Sequence, residues 1–155
     1  SRTDPKMTDP TNQPAPPRLD DQLCFALHAA SRAITKAYRP ALDSLGLTYT
    51  QYITLMVLWE TDGLGVRDLG ARLRLDSGTL TPLLKRLERD GLVTRTRDPG
   101  DERRVLVNLT EDGEEMSDRA AEIQSELVCK LSENLDDLPG LKARLEELVG
   151  VLDNL

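Results

Sequence analysis

The 155-residue sequence predicts a mainly α-helical fold with one small β-wing, and three observations carry that expectation. Apolar residues recur at steps of three and four along most of the chain from Leu19 onward. A short amphipathic stretch, 66–73, is followed after only Arg74, Leu75 and Asp76 by a second one, which is the spacing of a helix-turn-helix. Residues 93–109 instead alternate, are rich in β-branched side chains, and are broken by Asp98, Pro99, Gly100 and Asp101, a turn signature.

Taken in order, residues 1–18 are proline-rich, almost without apolar side chains and aperiodic. They are expected to form a flexible tail, with 1–6 an added remnant ahead of a native start at Met7. From Leu19 the series Leu19, Leu23, Leu27, Ala30, Ile34, Tyr38 advances by fours and threes, predicting a long helix that bends at Pro40 and closes near Gly46. Beside that stripe Cys24, His28, Ser31, Thr35 and Tyr38 share about 80° of arc, so a thiol is flanked by hydrogen-bonding side chains. For an arbitrary cysteine the ordinary role is a small buried hydrophobe. A place near a helix N-terminus favours a thiolate instead, against the opposing charges of Asp20 and Asp21.

Thr48 and Gln51 fit a capping box that starts the next helix, through Ile53, Met56, Val57 and Trp59, before a stop by Gly63. In the second stretch of the helix-turn-helix, Leu80, Leu83, Leu84 and Leu87 form the core-facing stripe. Gly78, Pro82, Lys85, Arg86 and Arg89 lie opposite, with Thr79 and Thr81 on the flanks. That face is short, donor-rich and positive. Pro82 belongs in a first turn, which sets the expected start near Gly78 or Thr79, and Gly91 caps the end. The hairpin carries Arg95, Arg97, Arg103 and Arg104 near its tip, and Asp101 is placed to orient Arg103 by a charge-assisted pair. Such a wing reaches a minor groove while the helix enters the major groove. Met116, Ala120, Ile123, Leu127 and Leu131, then Leu138, Leu141, Leu145, Leu148, Leu152 and Leu155, mark two further amphipathic helices. A winged helix does not need these to cover its core; a twofold homodimer uses them, and such a dimer reads a pseudo-palindromic operator in double-stranded DNA. The expectation is therefore a single winged helix-turn-helix domain over 19–155. Residues 65–109 are its DNA-binding lobe, and 19–45 with 111–155 supply N- and C-terminal dimerisation helices.

A net charge of −7 argues against a nucleic-acid partner until it is divided. Residues 65–109 hold 10 basic against 7 acidic side chains, whereas 110–155 hold 4 against 13. Charges beyond a Debye length of roughly 8–10 Å are largely screened, so the local excess governs phosphate binding. Two cysteines 105 positions apart have no metal spacing, and no nucleotide loop or metal cluster is present, so neither metal nor cofactor is expected. No apolar run approaches a membrane span of about 20 residues, and nothing at the N-terminus resembles a signal peptide. The expected location is the cytoplasm, where a permanent structural disulfide is disfavoured.

The order of long helix, helix-turn-helix, wing with DERRVLVNLT and paired C-terminal helices resembles the MarR family of dimeric regulators. More narrowly, DDQLCFALHAASRAITKAYRPALDSLGLTYTQYITLMVLWE and LRLDSGTLTPLLKRLERDGLV resemble its organic-hydroperoxide-sensing branch, the OhrR-type repressors, from about Leu19 to the C-terminus. The resemblance implies that Cys24 is the peroxide-reactive thiol. Tyr38 and Tyr49 match tyrosines that donate to the thiolate from the other subunit. A further family tyrosine is replaced here by His28, whose imidazole can also donate. Cys129 matches the second cysteine of two-cysteine members, which resolve the oxidised thiol as an intersubunit disulfide. On the DNA side Ser77, Thr79, Thr81, Lys85 and Arg86 match the recognition helix, and Arg103 matches the wing arginine.

The function so implied is a transcriptional repressor, not an enzyme, that an organic hydroperoxide releases from its operator by oxidising Cys24. The alternative within the family is a regulator responding to a non-covalent small ligand. A thiol peroxidase is disfavoured because this chain has no CxxC pair and no catalytic arginine arranged around Cys24, and an architectural DNA-binding protein would bind regardless of sequence.

Overall fold

The computed structural model describes residues 14–155. Most of the expected tail, residues 1–13 with Met7, lies outside the described residues. The chain divides into two compact units, Ser1–Arg39 and Pro40–Leu155.

In the first unit a single 3-10 turn, Leu19–Asp21, precedes helix α1, Leu23–Leu45, whose end from Pro40 belongs to the second unit. The helix therefore starts four residues later than the apolar spacing predicts. The Asp21 and Gln22 N–H groups donate to Arg18 and Leu19, both at 3.1 Å, closing a tight turn. Gln22 is extended, and its carbonyl accepts the Ala26 N–H to open α1. Leu19, Leu23, Phe25 and Ile34 are exposed, whereas Leu27 is half-buried and Tyr38 buried.

In the second unit α1 continues through Pro40 to Leu45 and ends where Gly46 takes a left-handed φ of 72°. Thr48 and Gln51 cap helix α2, Tyr49–Glu60, reciprocally: the Gln51 N–H donates to Thr48 Oγ1 at 3.2 Å and the Thr48 N–H to Gln51 Oε1 at 2.9 Å. Strand β1, Leu64–Gly65, leads into helix α3, Val66–Leu73, and helix α4, Ser77–Arg89. Strands β2, Val93–Asp98, and β3, Asp101–Leu109, form the hairpin. The antiparallel sheet has the order β1-β3-β2, with Gly65 opposite Leu106 and Arg95 opposite Val107. Sequence patterning missed β1, since two residues carry no period.

Helix α4 begins at Ser77, earlier than Pro82 suggested. The reason is Asp76, whose carboxylate accepts the Thr79 N–H at 2.8 Å and fixes the first turn. Pro82 then sits in the second turn, at the expense of one backbone bond. At the other end Gly91 donates to Glu88 O and Leu92 to Leu87 O, with Gly91 at φ 78°, a Schellman closure.

Leu80, Leu83, Leu84 and Leu87 are buried together with Leu42, Tyr52, Leu55, Leu58, Leu69, Val93 and Val107. Helices α5, Glu111–Asn134, and α6, Leu138–Asp153, complete the chain. The start of α5 is fastened to the winged helix, because the Trp59 indole donates to Gly113 O at 2.9 Å and Thr110 Oγ1 to Gly91 O at 2.6 Å. Further along, α5 buries only Ala120, and α6 leaves Leu141, Leu145 and Leu152 exposed. Among the described residues no helix is long and apolar enough to cross a membrane.

Candidate nucleic-acid interface and redox thiols

The exposed side of α4 carries Ser77, Thr79, Lys85, Arg86 and Arg89, with Thr81 half-buried at its edge. Leu80, Leu83, Leu84 and Leu87, buried on the opposite side, hold this face outward. Asp76, as the cap, sets where Ser77 and Thr79 stand, and the Thr79 N–H keeps its carboxyl below the ordinary value. Lys85 and Arg86 make no ion pair among the described residues, and Arg89 lies 4.0 Å from Asp90.

The four wing arginines divide into two kinds. Arg103 is 93% exposed, with its Nε 3.5 Å from Asp101 Oδ1, and the same oxygen accepts the Arg103 N–H at 3.1 Å. Arg97 donates to Glu102 O at 2.6 Å and remains exposed. Arg95 and Arg104 are committed to carboxylates. Arg95 gives Glu88 Oε1 two bonds, at 3.1 and 2.9 Å, and its backbone N–H a third to Oε2 at 3.3 Å. That pair ties β2 to α4, and the arginine holds the Glu88 carboxyl below its ordinary range. Arg104 reaches Asp68 on α3 at 3.0 Å and Asp98 on the wing at 3.4 Å. Sequence patterning placed all four arginines at the tip alike. Their carboxylate partners are set by tertiary placement, and nothing local signals them.

Between α3, the first turns of α4 and the wing lies an open cleft of about 1210 Å³, bordered by Arg67, Arg74, Ser77, Thr81, Arg103 and Arg104 among others. Arg67 is a cation that the apolar patterning passed over. Arg74, in the turn between α3 and α4, is left-handed at φ 59°, an uncommon state for a residue with a side chain. Its guanidinium grips Asp153 at the end of α6 in two bonds, 2.6 and 3.2 Å. This pair joins the turn to the last helix, and it lowers the Asp153 carboxyl from its ordinary value.

Cys24 is the second residue of α1 and is exposed, contrary to the ordinary role of a buried hydrophobe. Its Sγ lies 3.8 Å from Gln22 Oε1. His28 is exposed one turn on, its ring centroid 6.5 Å from that of Phe25, and Tyr38 is buried. Tyr49 belongs to the second unit, where it opens α2 with its ring 6.4 Å from Tyr52. Burial pushes the Tyr52 phenol up, and Tyr49 adds to the shift. Cys129 is exposed on α5, in a shallow groove with Ala121, Ser125, Glu126 and Lys130. Both thiols are free in the single chain. Among the described residues no cluster of His, Cys, Asp and Glu could hold a metal ion.

Comparison with known proteins matches residues 36–120 to the family model of the transcriptional regulator SarA/Rot. The organic hydroperoxide resistance transcriptional regulator of Bacillus subtilis is 47% identical over 135 residues, covering 87% of this chain and 92% of its own. Among solved structures, reduced AbfR bound to DNA, a Staphylococcus epidermidis protein, is 35% identical with a TM-score of 0.74, over 88% of this chain and 93% of that one. AbfR with its disulfide formed is also 35% identical, covers 84% and 92%, and superposes less closely, with a TM-score of 0.62.

Proposed function

Since the chain belongs to the MarR family of winged-helix transcriptional regulators, in its organic-hydroperoxide-resistance branch, we propose that it is a cytoplasmic, homodimeric repressor that an organic hydroperoxide releases from DNA. In the reduced dimer the two α4 helices enter successive major grooves of a pseudo-palindromic operator. Ser77, Thr79 and Thr81 meet bases and phosphates, while Lys85, Arg86 and Arg89 supply positive charge. Arg103, oriented by Asp101, enters the minor groove, with Arg97 beside it. Arg95 and Arg104 support this surface through Glu88 and Asp68.

The observation that carries the redox part is an exposed thiol, Cys24, between exposed Leu23 and Phe25 at the start of α1, in a chain akin to a regulator named for organic hydroperoxide resistance. The Cys24 thiolate attacks the O–O bond of the hydroperoxide. The outer oxygen passes to sulfur as a sulfenic acid, and the alcohol leaves. Cys129 of the partner protomer then displaces that oxygen as water, so two thiols and one hydroperoxide yield one disulfide, one alcohol and one water. Tyr38, Tyr49 and His28 are the donors assigned to the thiolate pocket, and Phe25 and Leu23 offer an apolar surface for the alkyl group. The disulfide shifts the interface helices and changes the spacing of the reading heads. Moving the population from nearly all bound to nearly all free requires a preference of ~10⁴ between forms, about 5.5 kcal/mol, within the reach of a covalent bond.

The test is peptide mapping after one equivalent of cumene hydroperoxide. A linked pair of peptides containing Cys24 and Cys129, absent from Cys129→Ser, is the expected result. Release from DNA with both thiols still reduced would point to a non-covalent small ligand instead.

A further inference from the structure

This inference rests on the reading that α4 and the wing bind DNA. Arg104 bridges three elements. Its Nη2 donates to Asp68 Oδ2 on α3 at 3.0 Å and its Nη1 to Asp98 Oδ2 at the end of β2 at 3.4 Å. Asp98 in turn accepts the Gly100 N–H at 2.9 Å, so the same carboxylate holds the wing turn. Beneath the guanidinium lies Gly65. It pairs with Leu106 across the sheet, and period-two alternation puts Arg104 on the same face. A Cβ at position 65 would stand 2.8 Å from Arg104 Nε, so the glycine is the floor of this seat. The neighbouring Arg103 leaves the strand on the other side and is 93% exposed.

We propose that Arg104 is a positioning residue rather than a DNA contact: seated over Gly65 between Asp68 and Asp98, it fixes the wing against α3. It thereby sets where Arg103 stands relative to α4, and the clamp determines specificity through Arg103. The pairs are 22 to 58% exposed, so their contribution to stability is small and variants fold.

The two roles predict opposite signs for Asp68→Asn. If Arg104 contacts phosphate, removing a competing carboxylate frees it and strengthens binding. If Arg104 positions the wing, binding weakens although a negative charge has been removed from the DNA-facing side. Gly65→Ala repeats the test with every charge retained, because the new methyl displaces the guanidinium and Gly65 already has an ordinary φ of −66°. The probes are a duplex selected by the reduced wild-type protein from a random-sequence library and a scrambled duplex of the same composition. Expected in Asp68→Asn, Gly65→Ala and Arg104→Gln is a loss of about tenfold in the ratio of selected to scrambled affinity. Unchanged or tighter binding in Asp68→Asn and Gly65→Ala overturns the proposal. Hydrogen exchange of residues 97–104 without DNA decides independently: faster exchange in the three variants supports the clamp, and unchanged exchange refutes it. If the wild type selects no duplex, the DNA-binding reading fails while this second measurement still judges the clamp.

Discussion

Asp76 joins backbone chemistry to the reading face, because the same carboxylate that accepts the Thr79 N–H fixes the first turn of α4. Its pKa lies below the ordinary 3.8, as does that of Asp153 under Arg74, and Glu88 under Arg95 lies below 4.5. A carboxyl whose folded pKa is depressed contributes stability above its unfolded pKa, and that contribution is lost as pH falls through the folded value. The melting temperature is therefore expected to hold from neutral pH down to about 5 and to fall progressively below about 4. Asp153→Asn should blunt the acid part of that curve without altering the recognition face, and an unchanged curve would remove Asp153 from the account. Asp76→Ala should lower the melting temperature at neutral pH while Asp76→Asn largely keeps it, since asparagine also caps.

Gly113 ties two elements together at the element scale. A Cβ there would collide with the Leu92 carbonyl oxygen and stand 3.2 Å from Leu109 Cδ2, so α5 can start beside the wing base only with a glycine. Gly113→Ala should cost about 1–3 kcal/mol of stability in urea denaturation, as overpacking does. A loss below the measurement error would mean that α5 is not seated there.

Elements of this kind were unevenly legible in the sequence. Helices α2 and α4 could be read because a capping box and a leucine stripe are local signals. Proline alone points to a start of α4 near Gly78 or Thr79, whereas the Asp76 cap sets it at Ser77, and the two paired residues of β1 carry no pattern. At the site, the cations were visible but their partners were not. Arg104 and Asp68 stand 36 positions apart and Arg74 and Asp153 79 apart, and only the folded chain brings such pairs together. Which arginine is left for DNA is therefore a tertiary property.

For the whole molecule, a net charge of −7 coexists with a positive reading lobe because the acidic excess is concentrated in residues 110–155. The other whole-chain feature is apolar surface left open: Leu23 is 62% exposed on α1, and Leu141 and Leu152 are 47% and 53% exposed on α6. Homodimerisation covers such surface under this account. Leu141→Glu combined with Leu145→Glu should sediment at the mass of one chain, with helical content retained and DNA affinity lost. A variant that remains a dimer would exclude α6 from the interface.

The central claim is that oxidation of Cys24 releases the protein from DNA, and fluorescence anisotropy of the selected duplex tests it most directly. Reduced wild type and Cys24→Ser are each bound to the labelled duplex and given one equivalent of cumene hydroperoxide. The account predicts that wild type dissociates, that a dithiol restores binding, and that Cys24→Ser stays bound throughout. Dissociation of Cys24→Ser to the same extent as wild type would contradict it.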